Sequence, residues 1–187
     1  PYLTPMLENA GAVVLLPRER DIQVNEVIVD NDISTGASGF VLQIPGEPEN
    51  AGRGFLLTDT LFNGDNPFMA GTSLKISSGS ALYVPEIPER GWYGVSVSYP
   101  RVPDYKGKAI VRVTHTGGVS EFIVDQSIGG GTWLWLGSLH FGAGADPLKG
   151  SVTISGMDGS AALLDAVRFG GGMGNVARRP AESMISN

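Results

Sequence analysis

Short stretches in which apolar and polar residues alternate recur along most of this chain, and the clearest pair lies on either side of a glycine dipeptide. Between 109 and 126, two β-branched runs flank Gly117-Gly118, which predicts a hairpin with a two-residue turn. Pairing back from that turn places Val113 opposite Phe122 and collects the apolar side chains on one face. We therefore expect a half-buried antiparallel sheet that packs one face on a core.

Similar patterns predict most of the other strands. Aromatic residues and valines alternate strictly with glycine and serine in 92–99, and 148–155 alternates as well. The segment 132–141 is apolar on both faces, and 161–169 predicts a continuous apolar strand interrupted only by Asp165 and Arg168. The region 46–80 is rich in Gly, Asn and Pro, with weak strand signals at 55–57 and 73–76. About eight to ten short strands predict an all-β fold, an antiparallel β-sandwich of the jelly-roll, carbohydrate-binding-module-like kind with short α/β flanks.

The two ends of the chain have a different pattern. A short helix through PMLENAG and the apolar run 12–16 predict an α/β fragment, which cannot bury its own surface. The last residues are rich in glycine and then polar. We therefore expect a sandwich at 25–170, an N-terminal fragment of an α/β host domain at 1–24, and a C-terminal segment at 171–187 that returns to the host.

Composition narrows the classes of function. A chain of 187 residues can bury a core, and 27 Gly with 12 Pro suit the many turns of a β protein. A net charge of -6 argues against a nucleic-acid partner, which would need clustered Lys and Arg. The absence of cysteine excludes disulfides and thiol chemistry, and no apolar run approaches the ~18 residues of a membrane helix. Insertion into a membrane is therefore not expected.

Several spaced motifs carry a family resemblance. They are Val27 to Asp32, WYGVSVSYP at 92–100, Val124-Asp125-Gln126, Gly131-Thr132-Trp133 followed by Leu136-Gly137 and Phe141, and Asp165 to Phe169. Together these motifs, spread over 26–170, resemble the golvesin C-terminal-like domain, also described as a xanthan-lyase carbohydrate-binding-like domain. The resemblance implies a carbohydrate-binding sandwich that serves as an accessory module of a secreted bacterial enzyme.

The N-terminal flank carries a second resemblance. The run from Met6 to Leu16, followed by Arg18 and Asp21, is similar to a helix and strand of zinc-dependent N-acetylmuramoyl-L-alanine amidases. The two resemblances together imply a sandwich inserted in an amidase-like host, with any zinc held by host residues outside this chain. The partners they imply are a polysaccharide or peptidoglycan and the host catalytic domain, and the implied location is secreted, periplasmic or in the cell envelope.

Catalytic motifs are absent from the sequence. His115 and His140 are the only histidines, and neither belongs to an HxxE or HExxH arrangement that could hold a catalytic zinc. No GxSxG nucleophile motif occurs, and the GxGxxA match at 172–177 has no βαβ unit around it. We therefore expect no enzymatic activity from this chain by itself. We expect His115 to lie on the core face of the hairpin as a hydrogen-bonded structural residue.

Aromatic side chains are the candidates for glycan binding, because their faces stack on pyranose rings. Trp92, Trp133 and Trp135 are the first candidates, and Tyr105 lies in a loop that we expect to be solvent-accessible. Trp133 and Trp135 point the same way in an apolar strand. At least one of them is therefore expected to pack inside the protein rather than meet a ligand.

Three carboxylates are candidates for a structural calcium. Asp30 and Asp32 form an oxygen-rich loop after the first strand, and Asp165 lies on the last strand, which we expect beside the first. Hard oxygen ligands suit Ca²⁺. The alternative is that Asp30 and Asp32 cap turns and that Asp125 or Asp165 pairs with Arg168 as a buried ion pair.

The function expected from these observations is that of a non-catalytic accessory module of a secreted cell-wall or polysaccharide hydrolase. The module would bind glycan or position the host enzyme, and a peptidoglycan amidase is the host that the N-terminal flank implies. The alternative is a structural or protein-docking insert that gates the host's catalytic cleft without binding sugar.

Overall fold

The strands of the described residues are β1 (Glu26–Asp30), β2 (Gly39–Gln43), β3 (Glu49–Gly54), β4 (Gly71–Ile76), β5 (Ser80–Val84), β6 (Gly91–Val97), β7 (Lys108–His115), β8 (Gly118–Asp125), β9 (Leu134–Phe141), β10 (Ser151–Gly156), β11 (Ala162–Leu164), β12 (Ala166–Gly170) and β13 (Ile185–Ser186). They come from a computed structural model that describes residues 25–33, 39–57 and 66–171 and the backbone of 185–186. Within these residues one sheet has the order β1-β12-β6-β9 and a second has the order β13-β8-β7-β10-β5-β2. The paired strands are antiparallel and the two sheets form a sandwich, which confirms the predicted fold class.

The first and last strands of the sandwich lie side by side, as predicted. Ile28 pairs with Arg168 in the β1–β12 ladder. On its other side β12 pairs with β6, where Val167 is opposite Val97. The core between the sheets takes its largest fully buried side chains from both of them, including Tyr83, Tyr93, Tyr99, Phe141 and Phe169. The predicted flank at 1–24, and the predicted flank at 171–187 apart from residue 171 and the backbone of 185–186, lie outside the described residues.

The hairpin of β7 and β8 has the predicted buried face but a different register. Val111, not Val113, is opposite Phe122, and His115 pairs with Gly118, so Thr116 and Gly117 form the turn. A shift of two residues keeps every side chain on its own face, so the apolar pattern cannot separate the two registers. The turn is also bonded to β9, because the Thr116 N–H donates to the His140 carbonyl at 3.0 Å.

The apolar run 161–169 is two strands rather than the single strand that the sequence predicts. β11 pairs with β4 in a small third sheet of order β11-β4-β3, whereas β12 pairs with β1 and β6. The chain changes sheet at Asp165, whose carboxylate accepts hydrogen bonds from other segments. Two weak strand signals were predicted in 46–80. The one at 73–76 lies in β4, and the one at 55–57 lies just beyond the end of β3.

A second, smaller apolar cluster covers one end of the outer face of the four-stranded sheet. It consists of Phe55, Phe68, Trp133 and Ala166, with Ile28 packed against it. Phe55 follows β3, and Phe68 lies in a 3₁₀ turn, Pro67–Met69, which Asn66 caps through its side-chain oxygen. Away from this cluster, Trp92 and Trp135 on the same face are exposed.

Candidate functional site

Two exposed tryptophans lie on the accessible part of the outer face of the four-stranded sheet. Trp92 on β6 pairs with His140 on β9, and Trp135 pairs with Ser96. Each of the two indoles is 40% exposed. Because paired residues point to the same side of a sheet, the surface comprises Trp92, Gly94, Trp135, Ser138 and His140, and it is called the Trp92–Trp135 face below.

A bulge in β9 determines which side chains reach this face. The β6–β9 pairing shifts between Val95 and Ser96, so that Val95 pairs with Gly137 and Ser96 with Trp135. The extra residue, Leu136, packs in the main core while Trp135 points outward. Bulges re-aim side chains in this way, and this one places an indole on the same surface as Trp92.

Close neighbours hold both indoles. The Trp135 Nε1 lies 3.3 Å from where a Cβ at residue 94 would be, so glycine leaves room for the ring to lie over β6. The Trp92 ring meets the His140 ring edge-on, with centroids 5.7 Å apart. The His140 Nδ1 is 2.8 Å from the Thr116 hydroxyl oxygen. The face is therefore a low floor of small side chains between two anchored aromatic rings.

Two of the four predicted glycan-binding residues do not lie on this face. Trp133 is 4% exposed and packs against Phe55 at a ring-centroid distance of 4.9 Å. Tyr105 is half-buried, and its hydroxyl donates to the Ala161 carbonyl. Burial leaves the Trp133 ring no open face for a sugar. Trp92 and Trp135 are brought together.

The sequence interpretation missed the residues that make up the rest of the face. Gly94 and Ser138 were seen only as strand positions, and His140 only as an unsuitable metal ligand. Strict alternation in β6 already places Gly94 on the side of Trp92. The pairing of β6 with β9, which brings His140 beside Trp92, depends on contacts that residue patterns do not record.

The three predicted calcium ligands lie where the first strand, the last strand and the small sheet meet. Asp32 Oδ2 accepts the Thr72 N–H at 2.6 Å, and Oδ1 accepts the Thr72 hydroxyl. Asp30 Oδ1 accepts the Asp32 N–H at 2.9 Å. The second oxygen of Asp30, Oδ2, is buried with no hydrogen-bond partner. Asp30 therefore caps a turn, as the alternative interpretation expects, whereas Asp32 binds donors of β4 instead.

Asp165 makes the deepest contacts of the three carboxylates. Its Oδ1 accepts the Phe55 N–H at 2.8 Å and its Oδ2 accepts the Ser98 hydroxyl at 2.6 Å. Arg168, the predicted ion-pair partner, has its guanidinium 5.0 Å above the Trp133 ring. Asp165 thus bonds the segment after β3 to the segment after β6.

Burial raises the pKa of two of these carboxyls. For Asp30, which is 3% exposed, burial together with the charges of Asp165 and Asp32 raises the pKa to about 7. For Asp165, burial and the charge of Asp32 raise the pKa to about 6, against the opposite effect of its hydrogen bonds from Ser98 and Phe55. Near neutral pH the cluster therefore changes its charge.

No metal site is evident within the described part of the chain. There, no three His, Cys, Asp or Glu side chains form a group that could hold an ion. His115 is hydrogen-bonded, with Nε2 3.0 Å from the Ser120 hydroxyl and Nδ1 accepting the Gly117 N–H. A structural calcium at Asp30, Asp32 and Asp165 stays a prediction.

The carboxyl cluster predicts that the domain is more stable in mild acid than at neutral pH. Between about pH 4 and pH 7 the unfolded chain ionises its aspartates while folded Asp30 keeps its proton, so the unfolded state is favoured as pH rises. We expect the free energy of unfolding to fall by about 3 kcal/mol between pH 5 and pH 8. Urea denaturation at pH 5 and pH 8 measures the difference.

Asp30→Asn is the matched control for this pH dependence. The amide keeps an oxygen for the Asp32 N–H and cannot ionise, so the variant should be more stable than the wild type at pH 8 and should depend less on pH. Equal stability of the wild type at both pH values would contradict the expectation. Adding calcium chloride at pH 8 tests the calcium prediction, because a bound cation would remove the pH dependence and raise the stability.

Comparisons with known proteins place this fold among domains found in larger proteins. Residues 60–171 match the Golvesin C-terminal domain. A xanthan lyase of Bacillus sp. (strain GL1) is 30% identical over 153 residues, which are 79% of this chain and 15% of that protein. A solved structure of a Paenibacillus xanthan lyase has a TM-score of 0.58 at 23% identity, and the match covers 77% of this chain and 13% of that one. In the described residues no helix is long and apolar enough to cross a membrane.

Proposed function

This chain belongs to the Golvesin C-terminal domain family, and from that premise we propose that it is a non-catalytic accessory module that binds polysaccharide for an enzyme acting on polysaccharide. The observation that carries the proposal is the Trp92–Trp135 face. Its two indoles stand on one surface, each 40% exposed, with only small side chains between them. Exposed aromatic faces beside hydroxyl and imidazole groups suit the apolar faces and hydroxyls of sugar rings.

The relatives favour a polysaccharide as the ligand. Both matched proteins are named as xanthan lyases, and this chain corresponds to a small part of each. By analogy the parent protein is an enzyme acting on an extracellular polysaccharide, so the module would be secreted or held in the cell envelope. The predicted amidase host and its peptidoglycan substrate rest on residues 1–24 alone, which makes peptidoglycan the second ligand to test.

A structural or protein-docking role is the competing function. The same two indoles could pack against a host domain, since tryptophans are enriched at the centres of protein interfaces. On that alternative, Trp92 and Trp135 would be covered in the parent protein. The isolated chain would then bind no glycan, and a panel of polysaccharides would leave its fluorescence unchanged.

Alanine substitutions at the two exposed indoles test the proposal. We expect Trp92→Ala and Trp135→Ala each to weaken binding of xanthan by roughly 10-fold or more, because each removes one stacking surface. Isothermal titration calorimetry with xanthan and with peptidoglycan fragments measures the affinity, and the quenching of tryptophan fluorescence supports it.

Val41→Ala is the matched control. Val41 is 51% exposed on β2, in the other sheet, so its loss should leave both binding and stability unchanged. Saturable binding that both tryptophan variants retain would contradict the assignment of this face. The absence of binding to every polysaccharide tested would favour the docking role.

A further inference from the structure

The Trp92–Trp135 face carries little charge. Of the outward positions that pair β6 with β9, all of them described, His140 holds the one ionisable side chain, and its Nδ1 is engaged with Thr116. Arg168 lies in the neighbouring row but is 5% exposed and stacked over Trp133. A carboxylate on a sugar would therefore lose water without meeting a cation on this surface.

The charges near the edges of the face are of both signs. Arg90, an exposed residue, lies two positions before Trp92 in the chain, and Glu89 lies directly before Arg90. Glu26 pairs with Gly170 on β12, the strand beside β6. Together with the net charge of -6, this arrangement gives a neutral floor in an acidic protein.

The separation of the indoles requires more than one sugar ring. Trp92 and Gly94 are two positions apart on β6, a distance of roughly 7 Å along the strand. Trp135 belongs to β9, the neighbouring strand about 5 Å away, and its indole reaches across to lie over Gly94. A single pyranose cannot lie flat on both rings at this separation. An extended chain of sugars that runs along β6, over Trp92 and the Trp135 ring, can.

Resting on the proposed function, we propose that the Trp92–Trp135 face binds a neutral, extended stretch of polysaccharide, at least two sugar rings long, in preference to an anionic one. Binding then depends on stacking and on hydroxyl contacts. It should be insensitive to salt, since Coulombic contacts between exposed charges are what salt screens.

Calorimetry of the intact chain with neutral β-1,4-linked glucose oligomers, from monomer to hexamer, tests the proposal. The expected result is an affinity that rises by at least 10-fold from monomer to tetramer and changes by less than 2-fold between about 0.02 and 1 M NaCl. Polygalacturonate, an anionic polymer, should bind at least 10-fold more weakly than the glucose hexamer. Arg90→Gln should bind the hexamer as the wild type does.

Gly94→Ala tests the geometry while keeping both indoles. The added Cβ would lie 3.3 Å from the Trp135 Nε1, so the exposed ring must lift from the floor, and affinity for the hexamer should fall at least 3-fold while the melting temperature stays the same. An unchanged affinity would overturn the two-ring geometry. If xanthan binds, but salt weakens its binding and the neutral oligomers do not bind, the inference of a neutral ligand is wrong and the proposed function survives. If xanthan, the peptidoglycan fragments and every oligomer all fail to bind, the proposed function itself fails.

Discussion

Replacing Trp133 with alanine is expected to lower the free energy of unfolding by about 3–5 kcal/mol, because the indole is a buried centre of packing. Its ring centroid is 4.9 Å from that of Phe55 and 5.6 Å from that of Phe68. The Arg168 guanidinium lies 5.0 Å over the same ring, so the variant also loses a desolvated cation–π contact. Urea denaturation at fixed pH measures the loss.

Trp135→Ala is the control for this expectation. Trp135 lies two residues further along the same strand segment and points to the same side, but it is 40% exposed. Its replacement should cost less than about 1 kcal/mol and should act on glycan binding instead. If Trp133→Ala kept its stability and lost glycan binding, Trp133 would be the ligand platform that the sequence predicts, and the packing role assigned to it here would be wrong.

The difference in burial between these two tryptophans could not be predicted from the sequence pattern. Both were predicted to point the same way, and local alternation gives no reason to bury one and expose the other. What separates them is a cover made by Phe55 and Phe68, more than sixty residues earlier in the chain. Such long-range packing has no signature in the residues around Trp133.

Other elements were predictable because burial repeats with a period of two. Tyr93, Val95 and Val97 were expected on the core face and are each at most 2% exposed. The predicted proximity of the strand near 26 and the strand near 168 is confirmed by the β1–β12 ladder. The hairpin turn was placed incorrectly, because a shift of two residues preserves the same faces and the fixing bond comes from β9.

Asp165 explains why one apolar run became two strands. An uninterrupted strand would continue in a single sheet, but here β11 pairs in the small sheet and β12 in the large one. At the junction the Asp165 carboxylate accepts hydrogen bonds from two other segments, through the Phe55 N–H and the Ser98 hydroxyl. Gly54 leaves the space this requires, since a Cβ there would lie 2.6 Å from Asp165 Oδ1. In this run the change of sheet therefore lies at Asp165, whereas Arg168, also charged, continues β12 within one sheet.

Asp165→Ala should therefore lower the free energy of unfolding by about 4 kcal/mol at pH 5, because it leaves two buried donors without an acceptor. The loss should be smaller at pH 8, where the wild-type carboxyl, with its pKa raised to about 6 by burial, already bears the cost of ionising inside the protein. Asp165→Asn, which keeps one acceptor oxygen, should lose about half as much. Urea denaturation of the three proteins at both pH values measures these differences. An alanine variant as stable as the wild type at pH 5 would show that the Phe55 and Ser98 donors find other partners. The hydrogen bonds of Asp165 would then not stabilise the junction between β11 and β12.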